Sequence, residues 1–198
     1  MGGFCDGYTY ICRGGMFSYM QTGNLIKFSI ALANGSFEYC FLIPIICFCL
    51  GCILAVLLGK NKYYSLITII VLILTFIGAG FCPNEEIWNI VSVSVLSFAG
   101  AMQFQAFNKC LSFHYTSTMC TNNMRLFSNS IAHKDVRKII FYLSIILCFS
   151  LGVIVSVFIS KAIGVYTIAP SASIFVVILI LMFFIKENVK DDIEVIDD

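Results

Sequence analysis

The feature that most constrains the fold of this chain is an internal repeat with an offset of 99 residues. The first block to recur begins at Met20 and contains Thr22 and Asn24, which recur as Thr121 and Asn123. A second block, Cys47–Gly51, recurs at Cys148–Gly152 with an offset of 101. Any fold must therefore accommodate two similar units of about a hundred residues, as in repeat architectures.

The composition identifies the solvent of these units as a lipid bilayer. Of the 198 residues, 60% are hydrophobic and 12% are charged, and the mean hydropathy is +0.95. Soluble domains are closer to half apolar and a quarter charged, so this chain lacks the polar surface of a soluble globule. The net charge of +1 and the lack of a basic stripe argue against a nucleic-acid partner.

Long apolar runs predict the membrane-spanning helices, since about 20 apolar residues cross the hydrocarbon core. The apolar N-terminal stretch Gly2–Met20 is interrupted by Asp6, Arg13 and glycines. Pro170 lies inside the last run and predicts a kink there. The five long runs are Tyr39–Gly59, Tyr63–Phe81, Ile87–Phe107, Ile139–Ser160 and Ile163–Ile185.

The distribution of basic residues predicts six crossings with both termini in the cytoplasm. In that arrangement nine basic residues lie on one side of the membrane and three, Arg13, Lys27 and Lys161, lie on the other. If the two polar segments also crossed, the basic residues would divide almost evenly. The cytoplasmic nine are Lys60, Lys62, Lys109, Arg125, Lys134, Arg137, Lys138, Lys186 and Lys190.

Three crossings per unit is an odd number, so the units are expected to be inverted relative to each other. The expected fold class is all-α, a polytopic transmembrane bundle in two inverted three-helix repeats. We assign residues 1–83 to the first repeat, 84–185 to the second and 186–198 to an acidic, disordered cytoplasmic tail. The offset places the counterpart of Ile87 before Met1, so the first helix is expected to be truncated or short.

A polar Thr-x-Asn motif in each unit is the first candidate site. Thr22 and Asn24 open one segment, and Thr121 and Asn123 open the other. Thr and Asn are good N-cap residues, so each motif predicts the start of a short, broken helix. Two helix N-termini that meet near the midplane are typical of a transporter site. The alternative is that both motifs only turn the chain at the interface.

Asp6 is the second candidate, because a carboxylate at membrane depth is functional by default. Arg13 follows two helical turns later, so Asp6 either pairs with a cation or titrates during a transport cycle. The counterpart of Asp6 at the repeat offset is Gln105, which forms a polar cluster with Gln103. The hypothetical solute-binding set is therefore Asp6, Thr22, Asn24, Gln103, Gln105, Thr121 and Asn123.

Small residues at intervals of about four form a ridge on one helix of each unit, which predicts close helix packing between the units or at a homo-oligomer face. The cysteines are expected to act as small hydrophobes. Cys49 and Cys52 share a helix face at i and i+3 and could in principle hold a metal, but no His or carboxylate lies near them to complete a site. The two histidines lack partners at metal-ligand spacing, so no metal or other cofactor is expected. No catalytic motif is present, so an enzyme is not expected. The ridge residues are Gly51, Ala55, Gly59, Gly152, Ser156 and Ser160.

Several motifs resemble those of the YoaK-type membrane proteins, a bacterial multi-pass family with a domain of unknown function. They are Gly3–Tyr10, Arg13–Phe17 and Gln21–Asn24 in the first half, and Phe98–Gln103 and Thr118–Asn123 in the second. The resemblance covers nearly the whole chain and implies a multi-pass protein of the bacterial inner membrane. It supplies no substrate.

Two functions remain open from the sequence. The first is a small secondary carrier or permease for an unidentified small solute, with Asp6 as a coupling group. The second is a non-transporting component of the membrane, such as an assembly partner or a lipid-binding scaffold.

Overall fold

The computed structural model describes residues 1–59, 63–110, 113–116 and 118–194, with the side chains of residues 109–110 and 185–194 outside that description. Within these ranges the chain is mainly helical. A two-stranded antiparallel hairpin, β1 (Lys109–Cys110) with β2 (Phe113–His114), pairs Lys109 with His114. The helices are α1 Gly2–Cys12, α2 Gln21–Ala33, α3 Tyr39–Leu58, α4 Tyr64–Phe81, α5 Glu86–Ala106, α6 Thr121–Ala132, α7 Val136–Ile163 and α8 Ile168–Glu194.

Four helical stretches are long and apolar enough to cross a membrane. Three are α3, α4 and α5, and the fourth is Val136–Phe184, which contains α7, a 3₁₀ turn at Gly164–Thr167 and most of α8. Helix α1 has 11 residues, which is about 16 Å at 1.5 Å per residue and less than the hydrocarbon thickness. The chain is therefore a helical membrane protein with several apolar helices.

The predicted apolar runs coincide with α3, α4, α5, α7 and α8, with shifted ends.

The predicted kink at Pro170 is wrong. Helix α8 begins at Ile168, so Pro170 lies in its first turn, where a backbone N–H has no intrahelical partner to lose. The break occurs instead at Gly164, which adopts a φ of +58°.

Helix α1 runs alongside α7 in the same direction. Gly3 lies against the backbone of Phe149, and Gly7, one turn later, lies against Ser156. A Cβ atom on Gly3 would lie 2.1 Å from the Phe149 carbonyl oxygen, so only glycine permits this approach.

Helices α3 and α5 form the corresponding parallel pair. Near its start, α3 packs against the buried Ile90 and Val93 through Phe41. Further along, Gly51 lies against Phe98 and Ala101.

Helix α4 runs antiparallel to both α5 and α8. Tyr64 at its start donates a hydrogen bond to the carbonyl of Met102, while the carbonyl of Ala79 near its end accepts one from Ser92. On the other side, the Phe76 ring meets the Phe175 ring edge-on at 4.9 Å, and Gly80 lies against Ala169. The resulting core includes Tyr8, Tyr19, Leu72, Phe76, Leu96 and Phe175.

Helix α8 continues to Glu194, into the segment for which the sequence predicts disorder. Residues 195–198 lie outside the described residues, as do Lys60 and Lys62, which were used to predict the orientation. The division into residues 1–83, 84–185 and 186–198 stays a prediction.

Candidate functional site

The segment after α1 folds back along that helix. Arg13, at the end of α1, contacts the end of α4 and Asn89 near the start of α5. Six residues later, the backbone N–H of Tyr19 is 2.8 Å from the carboxylate of Asp6, in the middle of α1. The Tyr19 ring then lies on Gly100 of α5. This return places Asn24, in the first turn of α2, in the interior.

The side chain of Asn24 closes this loop. Its Oδ1 accepts from the N–H of Phe17 at 2.8 Å, and its Nδ2 donates to the carbonyl of Phe17 at 2.7 Å and to Gln21 Oε1 at 2.9 Å. Asn24 is fully buried. Both amide hydrogens are therefore committed within the chain.

The second unit repeats this arrangement with the same spacing of seven residues. Asn123 Oδ1 accepts from the N–H of Thr116 at 3.1 Å, and Nδ2 donates to the carbonyls of Thr116 at 2.7 Å and Met119 at 2.9 Å. Asn123 is also fully buried. We call these two arrangements the Asn24 clamp and the Asn123 clamp.

A short helix begins at each motif, as predicted, but the prediction that the Thr or Asn side chain caps that helix is wrong. Helix α2 begins at Gln21 and α6 at Thr121, and neither has a side-chain cap. Thr22 and Thr121 are exposed. Each Asn side chain instead bonds the backbone of the residue seven positions earlier and so closes the loop before the helix. An N-cap side chain would bond a backbone N–H in the first turn of the helix. The Phe17 ring covers Gly23, and a Cβ atom at that position would lie 2.7 Å from the ring, so a larger side chain does not fit there.

Asp6 is a buried carboxylate with one unused oxygen. Its Oδ1 accepts from the N–H groups of Tyr19 and Met20 and from the Ser18 hydroxyl, at 2.8, 3.4 and 3.4 Å. Its Oδ2 is buried and has no hydrogen-bond partner among the described residues. The residue is only 4% exposed. A carboxylate in this setting is costly unless a proton or a cation accompanies it.

Arg13 does not pair with Asp6, although the sequence places the two on one helical face. Its guanidinium donates instead to the carbonyls of Ala79, Cys82 and Pro83, to Asn89 Oδ1 and to Tyr8 Oη, over 2.6–3.1 Å. These acceptors are neutral, and the three carbonyls lie at the C-terminal end of α4, where the helix dipole favours a cation. Arg13 therefore joins α1, α4 and α5.

Lys27 is also engaged elsewhere. Its ammonium donates to the Gly15 carbonyl. It lies 4.5 Å from the ring centre of Tyr10 and 5.0 Å from that of Phe17. These contacts place a cation on two aromatic faces beside the first loop.

The predicted polar cluster on α5 is divided. Gln103 accepts a hydrogen bond from Tyr19 Oη at 2.8 Å, so it helps to hold the first loop. Gln105 lies beside Cys52 of α3. No sequence signal marked Tyr19, because its role depends on Asp6, Gly100 and Gln103 from distant segments.

Two cavities lie along the groove between α1 and α7. The first, of about 220 Å³, is bordered by the loop before the Asn123 clamp, and the second, of about 310 Å³, is bordered by the loop before the Asn24 clamp. Phe149 lines both. The first is lined by residues including Gly3, Tyr115, Thr116, Met119, Ser144 and Phe149, and the second by Asp6, Tyr10, Phe17, Met20, Phe149 and Val153.

The small-residue ridge faces the interior for most of its length. Gly51 and Ala55 are buried, and Gly152 lies against the backbone of Phe4. Ser156 and Ser160 on α7 are buried as well, whereas Gly59 is exposed. These contacts belong to the α3–α5 and α1–α7 pairs within the chain.

In the part of the chain that the structure describes, the histidines do not join other possible metal ligands in a cluster. No group of three metal-ligating side chains was found among the described residues. The ion pair within those residues joins Asp135, which caps α7, to Lys138 at 2.9 Å. The hydrogen bond from Lys138 lowers the pKa of the Asp135 carboxyl.

A family model described as "Protein of unknown function (DUF1275)" matches residues 1–181. The YoaK-type resemblance noted from the motifs is consistent with this match. The comparisons with curated proteins and with solved structures found no significant match.

Proposed function

Since the chain belongs to the DUF1275 family, for which no activity is established, we propose from its geometry that it is a small secondary carrier of the membrane. The observation that carries this proposal is the pair of cavities in the α1–α7 groove, each bordered by the loop of one repeated unit. Carriers commonly place their site near the midplane, where broken helices from two repeats meet.

Helix directions support inverted repeats. The repeat offset pairs α1 with α5, α3 with α7 and α4 with α8. From the contacts given above, α1, α4 and α7 run one way, and α3, α5 and α8 run the other. Each helix is therefore antiparallel to its counterpart, as a pseudo-two-fold axis in the membrane plane requires.

We propose six crossings on the basis of the same directions, with the short α1 as an incomplete first crossing and the Gly164 turn separating the last two. Both termini are then cytoplasmic, and a bacterial inner membrane is the proposed location. In this arrangement the first loop is re-entrant from the outer side, because the backbone of Tyr19 returns to Asp6. The second loop is re-entrant from the inner side, because the backbone of Thr118 lies against Gly2. Irregular backbone at this depth is tolerated where it borders a cavity.

Phe149 lines both cavities and is the proposed barrier between them. The larger cavity, of about 310 Å³, is at the lower end of the volumes of ligand sites, so the carried solute is small. Asp6, beside that cavity, is the proposed coupling group. The Asn24 and Asn123 amides hold the loops, and we no longer assign them direct contact with the solute.

No observation favours the assembly function equally. The ridge on which it depended packs within the chain at Gly51 and Ala55. A lipid-binding scaffold would need no pair of cavities bordered by the loops of the two units.

The test is the side from which each cavity is reached. Met20→Cys and Met119→Cys are introduced separately into a variant whose ten native cysteines are replaced and whose melting temperature matches the wild type. In sealed vesicles, an impermeant maleimide is expected to label Met20→Cys from the outer side and Met119→Cys from the inner side. The exposed Glu38→Cys and Arg137→Cys variants mark the two sides. Labelling of both cavity positions from one side would contradict the carrier.

A further inference from the structure

Asp6 is the only carboxylate that is buried among the described residues. Its Oδ1 atom accepts from the backbone N–H groups of Tyr19 and Met20 and from the Ser18 hydroxyl. Its Oδ2 atom is sealed and has no described partner, and the groove beside the residue exposes only apolar surface. A carboxylate in this place needs a positive charge on the sealed oxygen.

The described chain supplies no such charge. Arg13 donates to neutral acceptors near the end of α4 and on α5, and the Lys27 ammonium donates to a carbonyl of the first loop. Two other titratable groups face Asp6, the Cys5 thiol on α1 and the Tyr19 phenol of the first loop. Both are ordinarily neutral near neutral pH. Helix α7, which packs alongside α1, lines the groove with apolar side chains.

A metal cation does not fit the surroundings of this carboxyl group. A hard cation needs several oxygen ligands, whereas Oδ2 has no described polar neighbour. The polar groups at Oδ1 are hydrogen-bond donors, which would repel a cation. A proton needs only the one oxygen, and it leaves Oδ1 free to accept from the loop.

We propose that Asp6 binds a proton on Oδ2 and that this proton is the coupling ion of the carrier, one per cycle. The neutral carboxyl lets the first loop close over it, because Oδ1 remains the acceptor for Tyr19. When the loop opens, water reaches Oδ2 and takes the proton to the solution. The carboxylate that remains is hydrated and opposes closure. This inference rests on the proposed carrier, because it names the ion that drives that same site.

The test places a thiol in the first loop at Ser18, which is fully buried. Ser18→Cys is made in the cysteine-replaced variant, and its reaction rate with a water-soluble maleimide is measured in detergent over a pH series. Division by the rate of the exposed Glu38→Cys corrects for thiol ionisation. This relative rate is expected to rise with pH by up to about tenfold per pH unit, the limit for a single proton. Thr118→Cys, equally buried in the second loop, is expected to show no such rise.

Asp6→Asn, combined with Ser18→Cys, keeps the acceptor for the loop and has no proton to release. Its relative rate is expected not to depend on pH, and a dependence that survives in this variant overturns the proposal. A relative rate of Ser18→Cys alone that stays constant with pH overturns it without any change at Asp6. Exchange of potassium for sodium at constant pH is expected to change nothing, whereas slower labelling in sodium would make the bound ion a metal.

Infrared spectroscopy provides a readout that does not depend on the loop. At the acidic end of the series, the wild type is expected to show the C=O stretch of a protonated carboxyl that Asp6→Asn lacks, and no difference between them would overturn the proposal. If labelling of Ser18→Cys depends on pH but Met20→Cys and Met119→Cys label from one side, the proton controls a loop in a protein that is not a carrier. If they label from opposite sides without pH dependence at Ser18→Cys, the carrier stands and its coupling ion is not a proton.

Discussion

The two repeated units hold their short helices in the same way, but they carry different charges. In both, a buried Asn bonds the N–H and the carbonyl of the residue seven positions earlier, Phe17 in one case and Thr116 in the other. Asp6 and Arg13 belong to the first unit only, since the second has Gln105 and Ser112 at those positions. The shared contacts form the scaffold, and the difference points to where a specific chemistry was added.

The two buried charged residues Asp6 and Arg13 also differ from each other in how completely they are hydrogen-bonded. Arg13 uses all of its donors on neutral groups of α1, α4 and α5. Asp6 leaves one oxygen without a partner among the described residues. A saturated buried charge contributes to structure, whereas an unsaturated buried group needs a further explanation, such as a bound proton, water or ion. The predictions below test this distinction, from the largest expected effect to the smallest.

Arg13→Met is expected to have the largest effect, a loss of about 3 kcal/mol or more in the free energy of unfolding. The substitution leaves the carbonyls at the end of α4 and Asn89 without their donor. Thermal unfolding in detergent measures it, and Arg125→Met, which removes an exposed guanidinium, is the control. If both variants unfold at the same temperature, Arg13 does not join the three helices.

Gly51→Ala is expected to destabilise the protein by about 2 kcal/mol through overpacking, and more than Gly152→Ala does. A Cβ on Gly51 would lie 2.4 Å from the Phe98 carbonyl oxygen, whereas one on Gly152 would lie 3.0 Å from the Phe4 nitrogen. Gly78→Ala is the matched control, because no atom lies within 4 Å of that position. The reverse order of melting temperatures would contradict the packing of α3 on α5.

Asn24→Ala and Asn123→Ala are expected to lose similar amounts of stability, about 1–3 kcal/mol each, because each leaves a backbone N–H and carbonyl unpaired, part-buried at Phe17 and buried at Thr116. Chemical unfolding of both variants and of the double variant measures this. Additive losses indicate that the clamps act independently. If Asn123→Ala had the same stability as the wild type, the two units would not be equivalent.

Asp6→Asn makes the first unit resemble the second. The melting temperature is expected to stay the same or to rise by up to about 4 °C, since a buried charge disappears and the acceptor for Tyr19 remains. The melting temperature of Gln105→Glu, measured in the same way, is expected to be lower than that of the wild type. A loss as large as that of Asn24→Ala would mean that the charge itself holds the first loop.

The smallest effect is expected at the start of α7. Asp135 accepts from the N–H of Lys138 there, whereas the residue before α3, Glu38, makes no side-chain cap. Because its pKa is lowered below 3.8, this cap is fully present above that pH and is lost as the pH falls through the lowered value. The protection factor of the first-turn amides of α7, which is the exchange rate corrected for its intrinsic pH dependence, is expected to fall in that acidic range, and Asp135→Ala should show the lower protection already at neutral pH. Equal protection in both proteins would exclude the cap.

The sequence by itself determined the class of protein, the repeat and the approximate helices. Apolar runs of about 20 residues leave the backbone no alternative to helix in lipid, and the offset of 99 residues identified Asn24 and Asn123 as equivalent. It also marked Asp6, because a carboxylate in such a run is conspicuous whatever the fold. The tertiary structure alone decided the partners. Arg13 is seven residues from Asp6 but bonds groups about seventy residues away, at the end of α4 and on α5. Tyr19 reaches Gln103, and Phe149 lines two cavities beside α1, because helices that are distant in sequence pack side by side.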